Sequence, residues 1–103
     1  MHNYAKDLQI AKVILDQLGA NRFAMMTGAK NFTTSENGLQ FHIPRSNGIN
    51  RISIVLDIAN DLYNAEFGYQ HGVKYTVKKV YKGIYCDALK KLFEQETRLR
   101  ASL

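Results

Sequence analysis

The chain is poor in the residues that mark special architectures. Its 103 residues include one proline, one cysteine and no tryptophan. The single cysteine, Cys86, excludes an internal disulfide framework and is compatible with a reducing compartment. Seven glycines and one proline exclude a collagen-like repeat. No apolar run approaches the ~20 residues of a membrane-spanning helix. The amino terminus passes directly into an amphipathic pattern containing Asp7 and Asp16, without the continuous apolar segment of a secretory signal. The expected setting is cytoplasmic, without a membrane.

Hydrophobic residues make up 46% of the chain and charged residues 22%, the proportions of an ordinary globular protein. The length suits one domain over 1–103, with no internal repeat or linker. Tyr4, Leu8, Ala11, Leu15 and Leu18 recur at spacings of four and three, so a helix is expected from the Asn3 cap to the Gly19 stop. Period-two segments follow. Arg22–Thr27 and Phe32–Ser35 read as short strands. Leu39–Ile43, Asn50–Ile58, Tyr63–Tyr69 and Val73–Lys82 read as longer ones. Asn37-Gly38, Asn47-Gly48, Asn60-Asp61 and His71-Gly72 mark turns. Pro44 is expected to end the Leu39 strand. After Gly83 a last helix is expected over Tyr85–Arg100, with Tyr85, Leu89, Leu92, Phe93 and Leu99 as its apolar stripe. The fold class is therefore α+β: an antiparallel meander of five or six short strands, with an N-terminal and a C-terminal helix packed on one face.

No catalytic or cofactor constellation stands out. Thr27-Gly28-Ala29-Lys30-Asn31 has the flavour of a phosphate loop. However, Phe23 stands where the earlier glycine should be, and Asn31 where Ser or Thr should be. His2, His42 and His71 lack the three- or four-residue spacing of metal ligands on a helix. Cys86 reads as a small half-buried packing residue. Asp57, Asp61 and Glu66 surround one turn, where acids favour the turn itself. The expectation is a protein that binds without catalysing, with no metal and no cofactor.

The charge is uneven. Residues 1–72 carry six Lys/Arg and six Asp/Glu, whereas residues 73–103 carry eight and three, so the whole net charge of +5 lies in the last third. Such a segment fits an anionic partner. The candidate binding residues are Lys74, Lys78, Lys79, Lys82, Lys90, Lys91, Tyr81 and Tyr85. Even separations place Lys74, Lys78 and Lys82 on one strand face, about 13 Å apart at ~3.3 Å per residue. Lysines interleaved with tyrosines suit single-stranded nucleic acid, where cations hold phosphates and rings stack on bases. The same lysines would also guard an edge strand against pairing with another sheet.

The helix–strands–helix order is similar to that of double-stranded RNA-binding domains. Those have three strands and a lysine cluster at the start of the last helix, where this chain has Tyr85-Cys86-Asp87-Ala88. A further resemblance is carried by four segments. They are Leu18-Gly19-Ala20-Asn21-Arg22-Phe23, Met26-Thr27-Gly28-Ala29-Lys30-Asn31-Phe32, Asn37-Gly38-Leu39 and Asp61-Leu62-Tyr63-Asn64-Ala65-Glu66-Phe67-Gly68, with the Ser102-Leu103 end adding to them. Through these the chain resembles small uncharacterised bacteriophage and mobile-element proteins. That resemblance implies a bacterial cytoplasm and supplies no activity. Small phage proteins of this class often disable host defence complexes such as CRISPR nucleases and restriction enzymes. The expected partner is thus nucleic acid, engaged through the basic C-terminal third. The alternative is a host defence nuclease complex, bound as an anti-CRISPR or anti-restriction inhibitor.

Overall fold

The computed structural model describes residues 4–101. His2, the expected Asn3 cap and the Ser102-Leu103 end lie outside the described residues. Helices α1 (Tyr4–Leu18) and α2 (Ala20–Thr27) come first. Five strands follow: β1 (Lys30–Ser35), β2 (Gly38–Ser46), β3 (Ile49–Asp57), β4 (Leu62–His71) and β5 (Lys74–Ile84). A 3₁₀ turn (Cys86–Ala88) leads into α3 (Leu89–Thr97). The sheet is one antiparallel meander in the order β1-β2-β3-β4-β5. This is the expected α+β class, with one further short helix. No helix among the described residues is long and apolar enough to cross a membrane.

The first helix forms where its periodicity predicts, but its buried face differs at the amino-terminal end. Asp7, Ala11, Ile14 and Leu18 are buried, whereas Tyr4 and Leu8 are exposed and Leu15 is half-buried. Ala11, Ile14 and Leu18 are buried on the expected face, but at its amino-terminal end Asp7 takes the place of Tyr4 and Leu8. Asp7 is 2% exposed, and its Oδ1 accepts the backbone N–H of Asn37 at 2.8 Å. A charged acceptor beneath the β1–β2 turn satisfies a donor that the turn leaves unpaired.

The segment expected as a first strand is helix α2. Gly19 stops α1 with φ 121°, a conformation that suits glycine, and its N–H reaches back to the carbonyls of Leu15 and Asp16. The chain then resumes a helix at once. Phe23 and Thr27, four residues apart, are both buried, while Met25 is 84% exposed. A strand would have placed Phe23 and Met25 on the same side. Thr27 Oγ1 donates to the Phe23 carbonyl at 2.7 Å and accepts from the Ala29 N–H at 3.2 Å, closing the helix end.

Helix α3 ends with the same device. Thr97 Oγ1 donates to the Phe93 carbonyl at 2.8 Å and accepts from the Leu99 N–H at 3.2 Å. Arg98, in the left-handed region at φ 62°, therefore stops the helix at Thr97, short of the expected Arg100. Its last carbonyls are claimed by the β2–β3 turn: Ser46 Oγ donates to Thr97 O and Asn47 Nδ2 to Glu96 O, both at 2.7 Å. Pro44 does not end β2. The strand continues to Ser46 through a register shift between His42 and Ser46, the kind of irregularity that tolerates proline.

The helices meet one sheet face through aromatic rings. Phe23 of α2, Phe41 of β2 and Phe93 of α3 form a triangle with centroids 5.5, 4.8 and 6.1 Å apart. Ile52, Ile54, Ala65 and Phe67 continue the core across β3 and β4. Phe93→Ala should cost ~3–5 kcal/mol of stability as a truncated core ring. Met25→Ala, on the solvent side of α2, should stay within ~0.5 kcal/mol. Chemical denaturation of both variants checks the helical reading of residues 20–27, since a strand there would make Met25 as costly as Phe23.

Candidate nucleic-acid interface

β5 is the last strand of the meander, paired with β4 alone. It runs for 11 residues, carries four lysines and has no acid. Nearly all of it is exposed, on both faces. The N–H and C=O groups on its outer side have no strand partner, which makes lysines on this edge doubly useful.

Two register shifts change the expected arrangement of the lysines. Lys74 pairs with His71, Thr76 with Tyr69, Lys79 with Phe67, Tyr81 with Ala65 and Ile84 with Tyr63. Those β4 partners alternate regularly and share the face that holds the core. Tyr75, Val77 and Val80 instead pair with Gln70, Gly68 and Glu66, on the open face. Directly paired residues point to the same side of a sheet. Lys74 and Lys79, not Lys74 and Lys78, therefore share the helix-side face. Lys78 is the extra residue of the first bulge, and Lys82 falls in the second, where Asn64 Oδ1 accepts the Gly83 N–H at 3.2 Å. The even spacing of Lys74, Lys78 and Lys82 does not make one face, and the expected 13 Å row is replaced by a staggered one.

At the second bulge, β5 and α3 flank a shallow groove of about 240 Å³. It is lined by Tyr81, Lys82, Ile84, Ala88, Lys91, Leu92 and Gln95. Three expected residues, Tyr81, Lys82 and Lys91, thus meet there. Ile84, Ala88 and Leu92 give the groove an apolar floor. The half-buried Tyr81 ring packs edge-on against Phe67, with centroids 6.2 Å apart. A hydrogen bond to the Glu96 carboxylate raises the pKa of the Tyr81 hydroxyl above the usual tyrosine value, and so keeps it a donor. Lys74, Lys78 and Lys79 lie farther along β5, outside the groove. Lys90 is half-buried on α3, and Tyr85 projects from the strand–helix connection, 69% exposed.

The remaining candidates disperse. Cys86, expected as half-buried packing, is exposed on the 3₁₀ turn. Asp57 accepts from the Asn60 side chain at 2.9 Å, stapling its turn. Glu66 lies on the open face, where it accepts the Tyr75 hydroxyl at 3.0 Å. Lys30 opens β1 after a helix rather than a strand, so it belongs to no phosphate loop. No group of three His, Cys, Asp or Glu among the described residues could hold a metal ion.

A polar network that the sequence pattern does not predict occupies the open face. Arg51 donates to Gln70 Oε1 at 3.1 Å and to Gln40 Oε1 at 2.6 Å, and its guanidinium lies 4.7 Å from the Tyr75 ring centroid. Tyr75 lies flat over Gly68, where a Cβ would come within 2.5 Å of the ring. The bare Gly68 in a strand is the signal for this close approach. No family model, curated protein or solved structure matches this chain.

Burial, and then the hydrogen bond to Glu66, push the Tyr75 pKa up to about 12. The folded chain therefore holds this proton through a range in which an unfolded tyrosine, at ~10, loses it. Stability should fall as pH rises from about 10 to 12 and level off above that. Tyr75→Phe should make the decline shallower, as read by urea denaturation at several pH values.

Proposed function

We propose that the protein is a non-catalytic binding module that engages single-stranded nucleic acid along β5 and in the groove between β5 and α3. The observation that supports this most is the convergence of Tyr81 and Lys82 from the strand with Lys91 from the helix around one apolar floor. Cations at the rim neutralise phosphates, while the ring and floor accept a base. Lys79 and Lys74 carry the positive charge onward along the same face of β5. A duplex presents base edges in its grooves, whereas a single strand offers base faces on which a tyrosine can stack. The resemblance to bacteriophage proteins supports a bacterial cytoplasm as the setting.

The test is a Lys79→Gln/Lys82→Gln/Lys91→Gln variant titrated with labelled single-stranded and duplex oligonucleotides at several salt concentrations. Each phosphate deprived of its lysine should lower the salt slope by about 0.7, so three should lower it by about 2. Thermal stability should change little, because exposed charges contribute ~0–1 kcal/mol. An unchanged slope would remove these lysines from the interface. If the parent protein binds no oligonucleotide but retains a host protein after nuclease treatment, the reading gives way to an inhibitor of a host defence nuclease complex.

A further inference from the structure

The core-facing row of β4 is Tyr63, Ala65, Phe67, Tyr69 and His71. Its first three side chains are buried beneath the helices, Tyr69 is half-buried and His71 is exposed. The row thus emerges from the helical layer at the end where α3 is tied to the β2–β3 turn. There the Tyr69 and His71 rings lie parallel to within 7°, with centroids 6.4 Å apart. At that distance neither ring covers the other: parallel rings are either separated by more than a stacking distance or offset by almost a ring's width. The Arg45 guanidinium lies 4.9 Å from the Tyr69 centroid. Across the edge strand, Tyr69 faces the short Thr76 and His71 faces the exposed Lys74, so no aromatic or branched apolar side chain of β5 stands opposite the rings.

We propose that Tyr69, His71 and Arg45 form a base-stacking platform for single-stranded nucleic acid, with Lys74 holding the adjoining phosphate. This rests on the nucleic-acid reading above and extends its binding track from the groove to the opposite end of β5. The chemistry is that of single-strand binders, aromatic faces for bases and cations for the backbone. Arginine adds a planar cation that stacks as well as pairs.

The experiment uses the full chain and two probes of equal length, an oligothymidylate and the same strand without bases. Tyr69→Ala should weaken oligothymidylate binding about 5- to 100-fold, the loss of one stacked base. It should leave abasic-strand binding and the salt slope unchanged, because every lysine keeps its phosphate. Tyr69→Phe should bind as the parent does. If Tyr69→Ala melts early, Tyr69→Leu keeps the bulk without the ring, and His71→Ala reads the same platform from an exposed position. Parent-like oligothymidylate binding by the Tyr69 and His71 variants would overturn the platform and leave the groove standing. Equal parent affinity for both probes would also overturn it, since phosphates alone would then be read. Binding of neither probe by the parent would remove the nucleic-acid reading and the platform together.

Discussion

The interaction on which the architecture depends is the triangle of Phe23, Phe41 and Phe93. It joins one ring from each of two short helices to a ring at the centre of β2. Helices of eight and nine residues are too short to be stable alone, so burying these rings is what holds them in place. Each is then closed one turn later by a buried threonine that accepts an N–H just beyond the helix end. The phenylalanine and the threonine work as a unit, one fixing the helix on the sheet and the other setting where it stops. Because both units seat on Phe41 of β2, three strands away from the β5 edge, the helical layer leaves most of that edge uncovered.

The exposed edge of β5 is a hazard that its own residues oppose. An 11-residue edge with exposed Val77 and Val80 would invite pairing with another strand. Four lysines oppose this by repulsion, and two bulges oppose it by breaking the regular spacing that a partner strand would have to match. The same lysines face solvent on a strand without a single carboxylate. Protection of the edge and attraction of an anion are therefore one property of β5, and removing its charge affects both.

Much of this is legible in the sequence, and the failures have specific causes. The four turns fall where Asn-Gly, Asn-Asp and His-Gly pairs mark them, and the meander follows from those turns. Arg22–Thr27 reads as a strand because Phe23, Ala24, Met25 and Met26 are apolar without a clear period. Only the pairing of Phe23 with Thr27, four residues apart, favours a helix, and threonine is not ordinarily read as a core residue. The amino-terminal end of the buried face of α1 is hidden for a similar reason: a carboxylate, Asp7, occupies the buried stripe to serve a backbone donor 30 residues away. The lysine content of β5 is visible, but its arrangement is not. A bulge reverses which residues share a face, and β5 has two without any glycine or proline at Lys78 to announce the first.

The distribution of polar groups between the two faces makes the edge, rather than the open face, the better place for an anionic ligand. The uncovered face of the central strands is polar, yet its strongest donor is already engaged. Arg51 is held by Gln40 and Gln70 and packed against Tyr75, which in turn gives its hydroxyl to Glu66. A ligand phosphate there would have to displace hydrogen bonds already formed to Arg51 and would meet the Glu66 carboxylate beside it. Those interactions cancel much of what a new ion pair would contribute. Lys74, Lys79, Lys82 and Lys91 are exposed, so a phosphate reaching them displaces water and counterions instead. The network on the open face therefore serves to tie neighbouring strands together where no helix covers them. The lysines without such partners lie at the margin, where the core row of β4 surfaces and most of β5 is exposed.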